Sequence, residues 1–280
     1  MNCPNTECQQ PFPDHVRFCI VCGADVGFPN VRAAQRAEEI AALDDRIKRV
    51  FATAAEGGYV SVLAQFEAAV AKSVAVINRP LLKVSELVSS DNALSSTFHQ
   101  QVEEGSRLPE ENRWDQARQA ADALLFPYYF REITFGALSL DRKGIDAYGN
   151  YSIVLRESAI RARASVFEGN SLLFVQRNSV VAGQSVPAGF RASWGNRARL
   201  ALAKCASTLT MGTEEKDFPA ILVSSMPADP DFIEVHIYGP IHRRGIAAVR
   251  GPAPKRPAER AIVDSIRRKL KEVGAGLELF

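Results

Sequence analysis

The sequence predicts an α+β chain in three parts: a small cysteine-rich module, a helical middle region and a mixed α+β C-terminal domain. Three observations carry this reading. Four of the five cysteines fall within the first 22 residues. Apolar residues then recur at helical spacing as far as Leu125. From Phe126 onward, short β-branched and aromatic runs are separated by turn residues.

The bulk numbers fit such a chain. Its 280 residues allow one small module and one or two ordinary domains. A hydrophobic fraction of 46% and a charged fraction of 24% are those of a globular protein. The net charge of +2 predicts neither nucleic-acid nor membrane binding by itself. Met1-Asn2-Cys3-Pro4 leads directly into the cysteine motif, so no signal peptide is expected. No apolar run approaches the roughly 18 to 20 residues that span a bilayer. Cysteine usage suits a reducing, cytoplasmic setting, where disulfides are rare.

The first element, residues 1–27, is built on Cys3-x4-Cys8 and Cys19-x2-Cys22-Gly23. Four thiolates at this spacing close a tetrahedral Zn²⁺ site with no open position for chemistry. Gly23 supplies the positive φ that the second knuckle needs. Pro4 stiffens the first. His15 is read as a turn residue, because the four sulfurs already complete the shell. A redox pair is the alternative for Cys19 and Cys22, but no thioredoxin-like context surrounds them. So small a module has little core, and zinc is expected to supply most of its folding free energy.

Helices follow over residues 31–125. Asn30 is placed to cap the first, Val31–Glu56. On it Ile40, Leu43, Ile47, Val50 and Ala54 form a narrow apolar seam. The seam needs a cover, either the next helix or, through residues 31–77, a second copy of the chain. Gly57-Gly58 ends this helix. Further helices are expected over Tyr59–Ile77, Leu81–Glu104 and Glu110–Leu125.

The C-terminal domain, residues 126–280, opens on the aromatic cluster Phe126–Phe130. Strands are expected at Arg131–Leu138, Tyr151–Leu155, Ala164–Phe167, Ser171–Val175, Ala220–Ser224 and Phe232–Tyr238. Helices are expected at Asn196–Ser207 and Pro257–Val273. Cys205 falls in the former and reads as a small buried hydrophobe.

Residues 1–26 resemble the zinc ribbons that open many bacterial multidomain proteins, with a first knuckle widened from two intervening residues to four. Within residues 126–250, three phrases resemble bacterial ADP-ribosyltransferase toxin domains: Tyr148–Leu155, Arg161–Ser171 and Asp231–Pro240. The resemblance implies NAD as substrate, held in a cleft between two small sheets. It implies Arg131 on a phosphate, Ser171 on a bracing strand, His236 beside the nucleotide and Glu234 as the catalytic carboxylate. A carboxylate there would stabilise an oxocarbenium-like transition state. In a bacterial setting the effector would serve as a toxin or in a stress response. Two features depart from that family. No Ser-Thr-Ser run is present, and the late strand offers Glu234-x-His236 in place of a paired Glu/Gln-x-Glu. Read by alternation alone, Phe232, Glu234, His236 and Tyr238 form the wet face of an ordinary strand.

Other chemistries lack their motifs. The four histidines, His15, His99, His236 and His242, form no His-Glu-x-x-His pattern, and neither a Gly-x-Ser-x-Gly elbow nor a Walker loop occurs. The alternative to an enzyme is a non-catalytic zinc-ribbon adaptor for nucleic acid or a protein partner. From Ile241 to Phe280, ten Lys or Arg stand against four Asp or Glu. Arg243-Arg244, Lys255-Arg256 and Arg267-Arg268-Lys269 could meet phosphates, or form a solvated face. No aromatics interleave with them to stack on bases.

Overall fold

The computed structural model describes residues 1–95, 113–181, 184, 186–223 and 230–280. It shows an α+β protein whose centre is an eight-stranded mixed sheet, with the cysteine module at its N-terminal end.

Residues 1–27 fold on isolated bridges, Asn2 with Pro11 and Phe18 with Asp25. Each knuckle is a backbone turn, closed in the second by Gly23 N–H donating to Cys19 O at 2.8 Å. Gly23 has φ +73°, as expected. Its core is Phe12, Val26 and the cysteine side chains.

Helix α1 (Pro29–Ala34) starts on proline, whose missing N–H costs nothing there. Asn30 lies inside this helix and does not cap it; the N-cap position is Phe28. Helix α2 (Ala37–Gly57) carries the apolar seam and stops at Gly58 in the left-handed conformation. Leu43, Ile47 and Ala54 are buried in the core of the same chain.

The expected helix Tyr59–Ile77 is two elements. Helix α3 (Val60–Val70) ends in a turn at Lys72, and strand β1 (Val74–Arg79) follows. β1 lies in the middle of the sheet, between β3 (Ile133–Ser139) and β4 (Tyr151–Leu155). A strand covered on both faces shows no alternation, so a helix-like apolar run resulted. The helix expected over Leu81–Glu104 is short: α4 spans Leu81–Val88, and β2 (Leu94–Ser95) follows. The remainder of that expectation lies outside the described residues. Helix α5 (Arg113–Leu125) precedes the aromatic cluster.

Beyond β4 come α6 (Glu157–Ile160), β5 (Ala164–Phe167), α7 (Ser171–Arg177), β6 (Arg191–Ser193), α8 (Arg197–Cys205) and α9 (Phe218–Leu222). Then follow β7 (Glu234–Tyr238), β8 (Ile241–His242), β9 (Ile246–Gly251), α10 (Pro257–Glu272) and β10 (Gly276–Leu279). Two expected strands are helices. Ser171–Val175 becomes α7 because Asn170 caps it, accepting from Leu172 N at 3.0 Å and Leu173 N at 3.4 Å. Ala220–Leu222 of the expected strand Ala220–Ser224 lies in α9, which begins on Phe218-Pro219, and Ser224 lies outside the described residues.

The sheet order is β10-β9-β4-β1-β3-β7-β5-β6, parallel only between β9 and β10. β2 and β8 form a separate small ribbon. One face of the sheet is packed by α2, α3, α4, α8, α9 and α10 in the main core. The opposite face, at β3, β5 and β7, is covered by Leu125, Phe126, Tyr129, Phe174 and Val180. That second cover decides the environment of Glu234. No helix among the described residues is long and apolar enough to cross a membrane.

Candidate metal centre and buried polar cluster

The four N-terminal sulfurs converge. All ligand atoms of Cys3, Cys8, Cys19 and Cys22 lie within 4.8 Å of one another. Sγ of Cys3 is 3.6 Å from that of Cys22, and Sγ of Cys8 is 3.8 Å from that of Cys19. With Zn–S bonds of about 2.3 Å, a regular tetrahedron has edges of about 3.8 Å. The donor set therefore fits a closed, structural zinc site. Backbone N–H groups of Cys22 and Val21 pull the Cys19 thiol down to about 7. Burial, with the neighbouring thiols, pushes Cys3 up to about 12. A dication held among the sulfurs would reverse that sign and keep all four as thiolates. His15 takes no part; its ring packs on Tyr128 at 4.7 Å.

The module is fastened to the body by Arg32 of α1. Its guanidinium donates to Val26 O at 2.9 Å, Asp14 O at 2.8 Å, Val16 O at 2.7 Å and also to Gly27 O. Arg36 adds an ion pair to Asp14. The tip of the second knuckle is Ile20-Val21, between Cys19 and Cys22. Phe18, Ile20 and Val21 are 51%, 70% and 65% exposed, so the tip is apolar and open to solvent.

In the body, Ser171, Glu234 and His236 meet on the covered face of the sheet. The Ser171 N–H donates to Glu234 Oε2 at 3.0 Å, and its hydroxyl donates to the same oxygen. His236 Nε2 lies 3.1 Å from that oxygen and 3.3 Å from Ser171 Oγ. Ser171 is the first residue of α7, so its N–H has no helical partner and is directed at the carboxylate. The exposures are 0% for Ser171, 1% for Glu234 and 2% for His236. The expected wet face is therefore a dry one. Rings of Phe126, Phe135 and Phe167 surround the imidazole, with centroids at 4.7, 5.4 and 5.6 Å.

The arrangement differs from a nucleophilic relay. There the imidazole uses one nitrogen for the hydroxyl and the other for the carboxylate. Here Nε2 serves both, and the hydroxyl already donates to the carboxylate. The chemistry is that of a hydrogen-bonded buried carboxyl group joining α7 to β7.

Arg131 is elsewhere. It sits on an exposed 3₁₀ turn, Phe130–Glu132, with its guanidinium 5.6 Å from the Phe130 ring. That turn precedes the Ile133–Tyr238 rung, whereas Glu234 opposes Ala137. The two rungs are separated by roughly 13 Å at about 3.3 Å per residue. The structure thus joins Ser171, Glu234 and His236 and places Arg131 at the other end of the strand pair.

Asn30 is a part of the cluster's surroundings that its sequence position did not signal. Buried at 2% exposure, its side-chain amide donates to Arg163 O at 3.1 Å, Ser165 Oγ at 3.2 Å and His236 O at 3.0 Å. A cavity with room for about one water lies among Asn30, Leu125, Phe126, Ser165, Phe167, Arg191 and His236.

The basic region is partly engaged. Arg243 is 7% exposed and pairs with Asp91 at 2.6 Å and Glu272 at 3.0 Å. Arg244 also reaches Asp91, at 2.9 Å. Arg267 and Lys269 pair with Asp264 and Glu272. Lys255, Arg256, Arg260, Arg268 and Lys271 are exposed on or beside α10. His99 lies outside the described residues.

No protein-family model matches the chain, and no curated protein matches it.

Proposed function

We propose that the protein acts by binding: a zinc-stabilised adaptor whose N-terminal module presents an apolar tip to a protein partner. The observation that carries this reading is the exposure of Phe18, Ile20 and Val21 between and beside two metal ligands. Metal ligation on both sides of Ile20 and Val21 fixes the tip's shape, so little conformational entropy is lost on docking. The zinc is structural, and the chemistry it supplies is the holding of four thiolates. Reduced thiolates suit a cytoplasmic location. The Glu234 cluster contributes to the fold of the body, since its hydrogen bonds join the first residue of α7 to β7.

A second reading rests on a separate observation. Ser171 and Glu234, which the ADP-ribosyltransferase resemblance assigns to one NAD site, are hydrogen-bonded to each other, and His236 joins them. An enzyme of that kind, toxin or stress-response effector, needs the cluster opened to nucleotide, with Arg131 reaching a phosphate from the far end of the strand pair.

One experiment separates the two. A photo-crosslinking amino acid at Ile20 is activated in cells producing the full chain. The adaptor reading expects a discrete adduct that disappears when Phe18 and Val21 are changed to serine. In parallel, zinc-loaded protein and a Glu234→Ala variant are incubated with labelled NAD and lysate. Label transfer that the variant loses, without a crosslink, would replace the adaptor with the enzyme.

A further inference from the structure

Helix α1 touches both the metal module and the buried cluster. It has six residues and no side-chain cap at its N-terminal end. A helix this short does not persist unaided in water. Its order depends on what it is fastened to, and it is fastened at two places two residues apart.

On the module side the fastening is Arg32. Its four acceptors come from two separate segments, Asp14–Val16 and Val26–Gly27. These carbonyls face one guanidinium because the Phe18–Asp25 bridge and the cysteine knuckles hold the segments together. Without a metal, the module's core is little more than Phe12 and Val26. Such a core is too small to maintain that convergence. On the body side the fastening is Asn30, which donates to His236 O and Ser165 Oγ. Ser165 and His236 are register partners in the β5–β7 ladder. Phe28, just ahead of α1, packs its ring on Tyr238 of the same strand at 5.5 Å.

We propose that α1 is a metal-sensitive latch: zinc in the cysteine module holds Arg32, and α1 in turn holds the β5–β7 strand pair through Asn30, so metal loss loosens the sealed Ser171–Glu234–His236 cluster. This rests on the reading that the four cysteines bind zinc. The coupling passes through a contiguous element with two defined contacts, each of which can be removed separately. Among the described residues the buried oxygen Asn30 Oδ1 has no hydrogen-bond partner, and the side-chain contacts of Asn30 there are made by its amide N–H groups.

The test is hydrogen–deuterium exchange on the full chain, with zinc content measured in the same samples. Removing zinc is expected to speed exchange at 28–36, 163–167 and 234–238 by about tenfold or more. Peptides from β9 and α10 should be unchanged. Arg32→Met should retain one zinc per chain yet show the faster exchange at 163–167 and 234–238. Arg32→Lys, which keeps charge but not the four-way contact, should fall between. If zinc leaves and only residues 1–27 respond, the latch is wrong while the metal site stands. If β9 and α10 respond equally, zinc stabilises the whole fold and no latch exists. If purified protein holds no zinc, the metal reading fails and the latch fails with it.

Discussion

His236 Nε2 and Glu234 Oε2 lie 3.1 Å apart, on residues that are 2% and 1% exposed. The same oxygen accepts the Ser171 N–H and hydroxyl. Glu234→Ala would leave a serine N–H, a serine hydroxyl and an imidazole without this acceptor in a dry region. The expected cost is about 3 kcal/mol or more. Glu234→Gln keeps a carbonyl oxygen in place and should cost about 1–2 kcal/mol. Urea unfolding measures both. If the two variants sit within experimental error of the native protein, the cluster does not hold α7 to β7.

Thiol chemistry should divide the five cysteines into four and one. Burial pushes the Cys205 thiol up to about 12, so almost no thiolate exists at neutral pH. Iodoacetamide should leave Cys205 unlabelled in native protein. A mercurial titration should release one zinc in step with the other four sulfurs. Cys19→Ser should lower zinc retention at least about tenfold, as expected on loss of one of four ligands. Early labelling of Cys205 would contradict its burial at the end of α8, where its thiol faces Ile221 O of α9.

Acid should act through Asp91. Hydrogen bonds from Arg243 and Arg244 hold its carboxyl well below the ordinary carboxylate range. A carboxyl depressed on folding stabilises the native state above its unfolded value, and that contribution is lost as pH falls towards the folded one. Glu272 is depressed in the same sense, chiefly by Arg243. Glu39 runs the other way: burial raises it, so its protonation favours the fold. The native urea midpoint should therefore drop from about pH 6 to about pH 3. The drop should be smaller in Asp91→Asn. Added salt should narrow the difference, since Asp91 is partly exposed.

Gly149 has φ +143°, and a Cβ there would stand 2.2 Å from the carbonyl carbon of Arg79. Arg79 belongs to the β1–β4 ladder, paired with Tyr151. Gly149→Ala should cost about 3 kcal/mol through this overlap. A thermal melt within a degree or two of the native protein would contradict the close approach.

Local pattern reached some elements and not others. Tyr151–Leu155 and Ala164–Phe167 were legible because turn residues bracket β-rich runs. The last helix was legible from its apolar stripe, Val263, Ile266 and Leu270, now buried. Val74–Arg79 was not, because a strand covered on both sides carries no period-two signal. Ser171–Val175 could be strand or helix by composition, and the N-cap Asn170 was the signal that decides it. The metal ligands follow from spacing, since a chelate site is local in sequence. The meeting of Ser171 with Glu234 was implied by resemblance, but their burial was not. Alternation describes a strand and says nothing of the Phe126 and Phe174 side chains that close over it.

The place of β1 also sets the order in which the chain can assemble. Its neighbours, β3 and β4, begin at Ile133 and Tyr151, more than fifty residues further on. During synthesis the strand therefore waits, apolar and unpaired on both edges, until that chain emerges. Such long-range pairing is slow relative to local helix formation. The interval exposes a segment, Val74-Ala75-Val76-Ile77, suited to intermolecular pairing. A nascent chain arrested before Tyr151 should be the form of this protein that chaperones retain.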